Sequence, residues 1–291
     1  TTNICMTLSG GVDTTIIALV ARSAGLRIKA YTSFYLGGLP KDLPYAIYVA
    51  RALGLKYELL PINNDYALEL SEEIVKLLHT FDPVEVRNDV AVLAVLKKAA
   101  DDGCEYVLTG DGCDELFAGY PYMLVLTGKE LNKYIKYLAE TARYPTVELG
   151  KKLGIEVIAP FTTKEVIEVS LRTPPDYKRL NPYTGKYMLR KLIEDYIGPE
   201  IAWRPKTPAE EGSGTKALSN LYALLASEDD VRTLKAIGLE GGDKAFLYRL
   251  FRKYYPKPPE VLPEGYVRCP YCGFPVYEGS RWCRTCGSHI V

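Results

Sequence analysis

Over the first hundred residues, short β-branched runs alternate with stretches whose apolar residues recur at helical spacing. Residues 3–8, 27–32, 56–62 and 105–108 read as strands, and residues 13–24, 43–53, 65–78 and 89–100 read as helices. Strands separated by whole helices predict an α/β fold with a doubly wound parallel sheet covered on both faces, its ligands lying beyond the carboxyl ends of the strands. The chain then turns mostly helical. Residues 129–142, 163–172, 187–197, 216–226 and 243–255 carry helical patterns, broken by prolines such as Pro174, Pro175, Pro182, Pro205 and Pro208. Pro256, Pro258, Pro259 and Pro263 cannot join a helix or a central strand, so this stretch reads as a stiff linker. The expected organisation is one domain over 1–255, a proline-rich linker over 256–264 and a small module over 265–291.

Lys and Arg number 36 against 36 Asp and Glu, so no global field draws the chain onto nucleic acid or an anionic membrane. Its longest apolar stretches, such as 15–21, are far shorter than the ~20 residues of a membrane span, and no basic-plus-apolar signal segment opens it. A cytoplasmic protein with no membrane partner is the expectation. The chain contains no Gln and 23 Tyr, a bias similar to that of thermophile proteins, which shed labile amides.

Two acidic loops carry the chemistry. The run ending at Leu8 leads into Ser9-Gly10-Gly11-Val12-Asp13-Thr14, directly before a helix. Glycines there bring backbone N–H groups up to an anion, the helix N-terminus adds partial positive charge, and Ser9 and Thr14 supply hydroxyls. Asp13 would repel phosphates unless a cation intervened, which makes it a ligand for the Mg²⁺ that accompanies a nucleotide. The competing reading is an ordinary strand-to-helix turn capped by Ser9 or Asp13. Beyond the strand 105–108 comes Gly110-Asp111-Gly112-Cys113-Asp114-Glu115-Leu116-Phe117-Ala118-Gly119-Tyr120. Clustered acids at a strand end cost electrostatic free energy that a divalent ion or a cationic partner offsets.

The first loop resembles the SGGxDS loop of the PP-loop ATP pyrophosphatases (HUP-like α/β proteins). The second resembles the GEGSDELFGGY hallmark of the synthetase domain of glutamine-dependent asparagine synthetases and their relative β-lactam synthetase. Lys186-Tyr187-Met188-Leu189-Arg190, then Ala202-Trp203-Arg204-Pro205-Lys206 and Gly212 with Gly214, are similar to that family's KxxLR, WRxK and GxG segments. The resemblance implies that Ser9, Gly10, Gly11 and Thr14 hold the ATP phosphates, with the backbone of Leu8 and Gly110 near the nucleotide. It implies that Asp13 and Asp114 hold Mg²⁺, and that Lys206 stabilises charge developing on the phosphates and the tetrahedral intermediate. Asp111 stands where the family has a proton-handling glutamate. The implied reaction is adenylation of a carboxylate with release of pyrophosphate, then amide formation with ammonia and release of AMP.

The chain also departs from the family. Only eight residues precede Ser9, so no glutaminase domain is expected, and ammonia would come from solution or a separate glutaminase subunit. Asp111 is one methylene shorter than glutamate, which sets its carboxylate back by roughly 1 to 1.5 Å. Residues 79–87 resemble the family's ETYDxTTIR strip, keeping Arg87 but replacing two threonines with Val84 and Glu85, and residues 142–145 lack the expected Asp. These changes count against aspartate as the substrate. His79 reads as a helix-end or packing residue with a catalytic role as the alternative, and Cys113 as a loop filler with a reactive thiolate as the alternative.

Cys269, Cys272, Cys283 and Cys286 form two Cys-x-x-Cys pairs, each followed at once by a glycine. This is the pattern of a zinc ribbon with a closed four-thiolate Zn²⁺ site, an iron–sulfur cluster being the competing metal. A module of this size gains much of its stability from the metal. His289 reads as a surface residue, while Trp282 and the arginines offer groups that stack on or pair with RNA. The leading expectation is an ATP-dependent, AMP-forming amide ligase acting on a small carboxylate. The alternative is a tRNA-modifying PP-loop enzyme that docks RNA through the ribbon.

Overall fold

The strand β1 (Ile4–Thr7) lies at the centre of a five-stranded sheet in the computed structural model, which describes residues 3–290. The ends of the expected domain bounds, residues 1 and 291, lie outside them. The other strands are β2 (Ile28–Tyr35), β3 (Lys56–Ile62), β4 (Tyr106–Leu108) and β5 (Glu156–Ile158), in the order β3-β2-β1-β4-β5. β1 runs parallel to β2 and to β4, and β4 runs parallel to β5. Helices α1 (Val12–Ser23), α2 (Leu43–Ala52), α3 (Asn64–Leu78) and α4 (Pro83–Asp101) make the crossovers. This is the doubly wound parallel sheet read from the sequence, followed by a largely helical carboxyl-terminal part. The winding reverses between β1 and β4, so the crevice at their carboxyl ends is where such a sheet receives a ligand. Both acidic loops leave the sheet there.

The chain divides into two compact units. One comprises the residues up to Ser33, Lys41–Leu60 and Val95–Pro208, and the other Phe34–Pro40, Pro61–Ala94 and the residues from Ala209 onward. The core of the first packs Met6 of β1 and Leu8 just beyond it with Ile16, Ile17 and Ala18 of α1, and with Ile193 and Ile197 of the helix Tyr187–Ile197. In the second, Tyr222 is fully buried, stacks on Phe246 and shares a 2.6 Å hydrogen bond with Ser71 of α3. Arg87 is also in this unit, with Nε donating to Glu210 at 2.7 Å and Nη1 to Asp243 at 3.0 Å. Its guanidinium is thus committed to two carboxylates. His79 ends α3 in the left-handed region and lays its ring on Tyr255, a packing role.

Several elements differ from the sequence reading. α4 starts at Pro83 and not near residue 89, because Asp82 Oδ1 accepts the Val84 N–H and proline at the first helical position needs no donor. The helix Pro145–Lys152 and strand β5 arise where no element was expected. Cys5 and Cys104, both buried, form a disulfide with Cα atoms 6.0 Å apart. Among the described residues, no helix is long and apolar enough to cross a membrane.

Candidate active site

Ser9 to Thr14 form a loop whose own hydroxyls shape it. Ser9 Oγ accepts the Gly11 N–H and Thr14 Oγ1 accepts the Ser9 N–H, each at 3.2 Å, and the two hydroxyl oxygens are also 3.2 Å apart. No side chain caps α1 at Gly11, which leaves first-turn N–H groups for an anion. Leu8 is tied into the sheet, its carbonyl accepting the Thr32 hydroxyl at 2.6 Å. Gly10 has φ +68°, and a Cβ there would sit 2.4–2.7 Å from backbone atoms of Tyr45 and Ala46 in α2. Gly10→Ala should therefore cost about 1–2 kcal/mol from the dihedral alone, and more from displacing α2. Thermal melting and nucleotide titration check this; a variant that melts and titrates with the parent would refute the close approach.

The second loop begins at Gly110, which abuts Asp13 and Thr14, and continues into the short helix α5 (Cys113–Leu116). Lys186 Nζ donates to both oxygens of Asp13, at 2.6 and 2.7 Å, and also lies 2.5 Å from Asp114 Oδ1. Asp114 Oδ1 is buried against the Lys186 ammonium, an ion pair closed to solvent. Lys206 Nζ donates to Asp114 Oδ2 at 2.5 Å and lies over the Tyr120 ring. Burial alone would raise the Asp114 carboxyl, but the two ammonium groups outweigh it and hold the group at about 2. Burial disfavours the Lys186 ammonium, and Asp114 and Asp13 overcome that, keeping its proton on well above the ordinary lysine range.

The loops thus bring Ser9, Gly10, Gly11, Asp13, Thr14, Gly110, Asp114 and Lys206 to one sheet end. Asp111 has different partners: its Oδ2 accepts the Thr109 hydroxyl at 2.9 Å, and Thr146 also bonds it. Burial pushes its carboxyl up, reinforced by the charges of Asp13 and Asp114. Cys113 is buried, and that burial, together with Asp13, pushes its thiol far above the reactive range. This is the environment of a filler.

Sequence reasoning assigned no role to Lys186, Arg190, Arg204 or Asp42. Arg204 donates to the Gly10 carbonyl at 3.3 Å and to Asp42 at 2.7 Å, and lies over the Tyr45 ring. Arg190 donates to the carbonyls of Gly185, Ala202 and Arg204. Together they lace the segment before Lys206 to the phosphate loop. The signal was present in the KxxLR-like and WRxK-like segments, whose basic residues are these.

Asp13 and Asp114, from separate loops, already converge on one cation, and their oxygens are the hard donors that Mg²⁺ takes; the residues present fit that ion. In the second unit, Cys269 and Cys286 Sγ are 3.8 Å apart, Cys272 and Cys283 Sγ are 3.7 Å apart, and all four sulfurs lie within 4.8 Å of one another. Tetrahedral bonds of ≈ 2.3 Å to zinc put thiolates about 3.8 Å apart. The four cysteines therefore fit a single tetrahedral ion, a tighter grouping than a multi-iron cluster requires.

The sequence profile of asparagine synthase matches residues 1–153 and 148–256. The chain belongs to the asparagine synthase family. Asparagine synthetase B [glutamine-hydrolyzing] of Escherichia coli (strain K12) is 27% identical over 286 residues, covering 89% of this chain and 51% of that protein. Asparagine synthetase [glutamine-hydrolyzing] 1 of Lotus japonicus is 28% identical over 240 residues, covering 74% of this chain and 40% of its own length. The chain thus spans about half the length, or less, of these curated asparagine synthetases. Among solved structures, a predicted subunit of tRNA methyltransferase from Methanocaldococcus jannaschii aligns with TM-score 0.36 and 16% identity, covering 71% of this chain and 94% of that one. So low a score says nothing about the substrate of this asparagine synthase family member.

Proposed function

We propose that this member of the asparagine synthase family is an ATP-dependent ligase that adenylates a small carboxylate and transfers the acyl group to ammonia. The observation that carries the reading is the convergence of Asp13, Asp114, Lys186 and Lys206 beside the glycine loop at the switch point of the sheet. The loop N–H groups and the amino end of α1 receive phosphate oxygens, and Ser9 and Thr14 keep the loop in shape. Asp13 and Asp114 would hold Mg²⁺, which supplies charge neutralisation to the departing pyrophosphate.

The substrate carboxylate oxygen attacks the α-phosphorus of ATP, the bond to the β-phosphate bridge oxygen breaks, and pyrophosphate leaves. Lys206 sits on a segment anchored by Arg204 and Arg190, and its ammonium stabilises charge building on the phosphates. Ammonia then attacks the acyl carbon of the mixed anhydride; nitrogen loses a proton and AMP leaves as the amide forms. Asp111, held by Thr109 and Thr146, is the proton-handling carboxylate of this second step. Ammonia reaches the site from solution or from a separate glutaminase subunit, and the four-cysteine site holds Zn²⁺ as a structural ion.

The direct experiment incubates the protein with ATP, Mg²⁺ and ammonium and resolves the nucleotide products, with aspartate in one arm and bulk tRNA in another. AMP and asparagine formed with aspartate support the proposal with aspartate as substrate. AMP formed only with tRNA would overturn the amide-ligase reading in favour of base adenylation. Lys206→Ala should lower the adenylation rate by about 10²–10³-fold with metal content unchanged. A variant of parental rate would remove Lys206 from the chemistry.

A further inference from the structure

The ribbon does not stand apart within its unit. Phe81 donates its backbone N–H to the Thr285 carbonyl at 2.7 Å, and the Thr80 hydroxyl donates to the Arg284 carbonyl at 2.8 Å. Both acceptors belong to the turn that joins Cys283 to Cys286, closed by the Gly287 N–H bonding the Cys283 carbonyl at 2.8 Å. Beside them, the Asp82 carboxylate fills the space where Gly287 has no side chain; a Cβ there would come within 2.4–2.7 Å of its atoms. That same carboxylate caps α4 through Val84 N–H. The contact continues through aromatic rings: Phe274 of the ribbon meets Phe251 edge-on, and Phe251 and Tyr248 both pack on the fully buried Phe81. On the far side, the Arg268 guanidinium donates to the Pro259 and Glu260 carbonyls, fastening the linker to the ribbon.

We infer that the ribbon is a metal-dependent clasp whose partner is the turn 80–82 of its own chain, so that metal occupancy fixes the amino-terminal cap of α4. The shape of the 283–287 turn depends on the metal. Its strands are only two or three residues long, too short to hold a hairpin without help. Convergence of four thiolates on one ion supplies that help. The Arg284 and Thr285 carbonyls face Thr80 and Phe81 only while the turn is closed, and Asp82 reaches its place only because Gly287 leaves room. Losing the ion removes these partners together. The Phe81 N–H then has no acceptor, and the α4 cap loses the surface it rests on.

The test is amide hydrogen exchange of the full-length, zinc-loaded protein, resolved over residues 80–86, before and after zinc is withdrawn by a high-affinity chelator. Peptides from β1 and β4 report whether the rest of the fold survives. Zinc removal should speed exchange at Phe81 and Val84 by at least about tenfold while β1 and β4 stay protected. Unchanged protection at 80–86 after complete zinc loss would overturn the proposal. Because removing the ion could unfold more than the clasp, Gly287→Ala tests the contact with zinc still bound, and Gly279→Ala is its control. Both glycines have positive φ, +69° and +79°, but a Cβ at 279 meets nothing within 4 Å. With one zinc per chain in each variant, exchange at Phe81 and Val84 should quicken in Gly287→Ala and not in Gly279→Ala. Equal exchange in the two would count against the clasp. No readout here involves ATP or turnover, so the outcome is independent of the proposed ligase activity.

Discussion

Lys186→Met is expected to reduce the unfolding free energy by about 3–5 kcal/mol at neutral pH, the usual cost of leaving a buried charge without its partner. Lys186 is buried, in the left-handed region at φ 57°, and methionine keeps its length while removing the ammonium. Asp13 would lose both of its short hydrogen bonds, and Asp114 would keep only Lys206. The pH dependence follows from Asp114. Its folded carboxyl titrates at about 2, below the ≈ 3.9 of an unfolded aspartate. In the parent, this contributes stability that is present above the unfolded value and is lost as pH falls through the folded one. The variant lacks most of that contribution, so the gap between the two proteins should narrow as pH drops below about 4. Urea denaturation at neutral pH and at about pH 3 measures both quantities. A neutral-pH difference under about 1 kcal/mol, typical of an exposed pair, would show that the triad is not the buried ion cluster described.

Reducing the Cys5–Cys104 disulfide should cost about 4–5 kcal/mol by the chain-entropy account of a loop of this length. The two cysteines are 99 positions apart, so the bond closes a long loop and constrains the unfolded chain strongly. In the folded state, Cys5 lies in β1 and Cys104 just before β4, a strand that pairs with β1, and β1, β2 and β4 hold the geometry without the bond. Two buried thiols pack as small apolar groups, so reduction leaves no uncompensated charge. The denaturation midpoint of the native protein should therefore fall on adding a phosphine reductant, whereas Cys104→Ala should be insensitive to it. A parent whose midpoint ignores the reductant would refute the expectation.

Much of this protein was legible in its sequence because the relevant physics is local. Alternating β-branched and helical segments force crossovers and hence a parallel sheet, and glycines between a strand and a helix make an anion loop wherever they occur. Two Cys-x-x-Cys pairs can close a tetrahedral site because two residues are what a knuckle needs. The start of α4 is legible too, in Asp82 followed by Pro83, an N-cap with proline at the first helical position, although the periodic stretch begins only beyond it.

What the sequence by itself determined was the inventory: the sheet, both loops, the candidates Asp13, Asp114 and Lys206, and the four thiolates. What only the tertiary structure decided was partnership across long separations. Lys186 is 173 positions from Asp13 yet is the ammonium that joins the two carboxylates. Cys5 is joined to Cys104, which the pairing of β1 with β4 brings beside it. Arg87, kept from the family's ETYDxTTIR strip, is committed to Glu210 and Asp243. Thr80 and Phe81 lie 204 positions from the carbonyls they hold. The reason is common to all four: a charge, a thiol or an N–H is satisfied by whatever group packing brings within about 3 Å, and sequence spacing does not encode that distance.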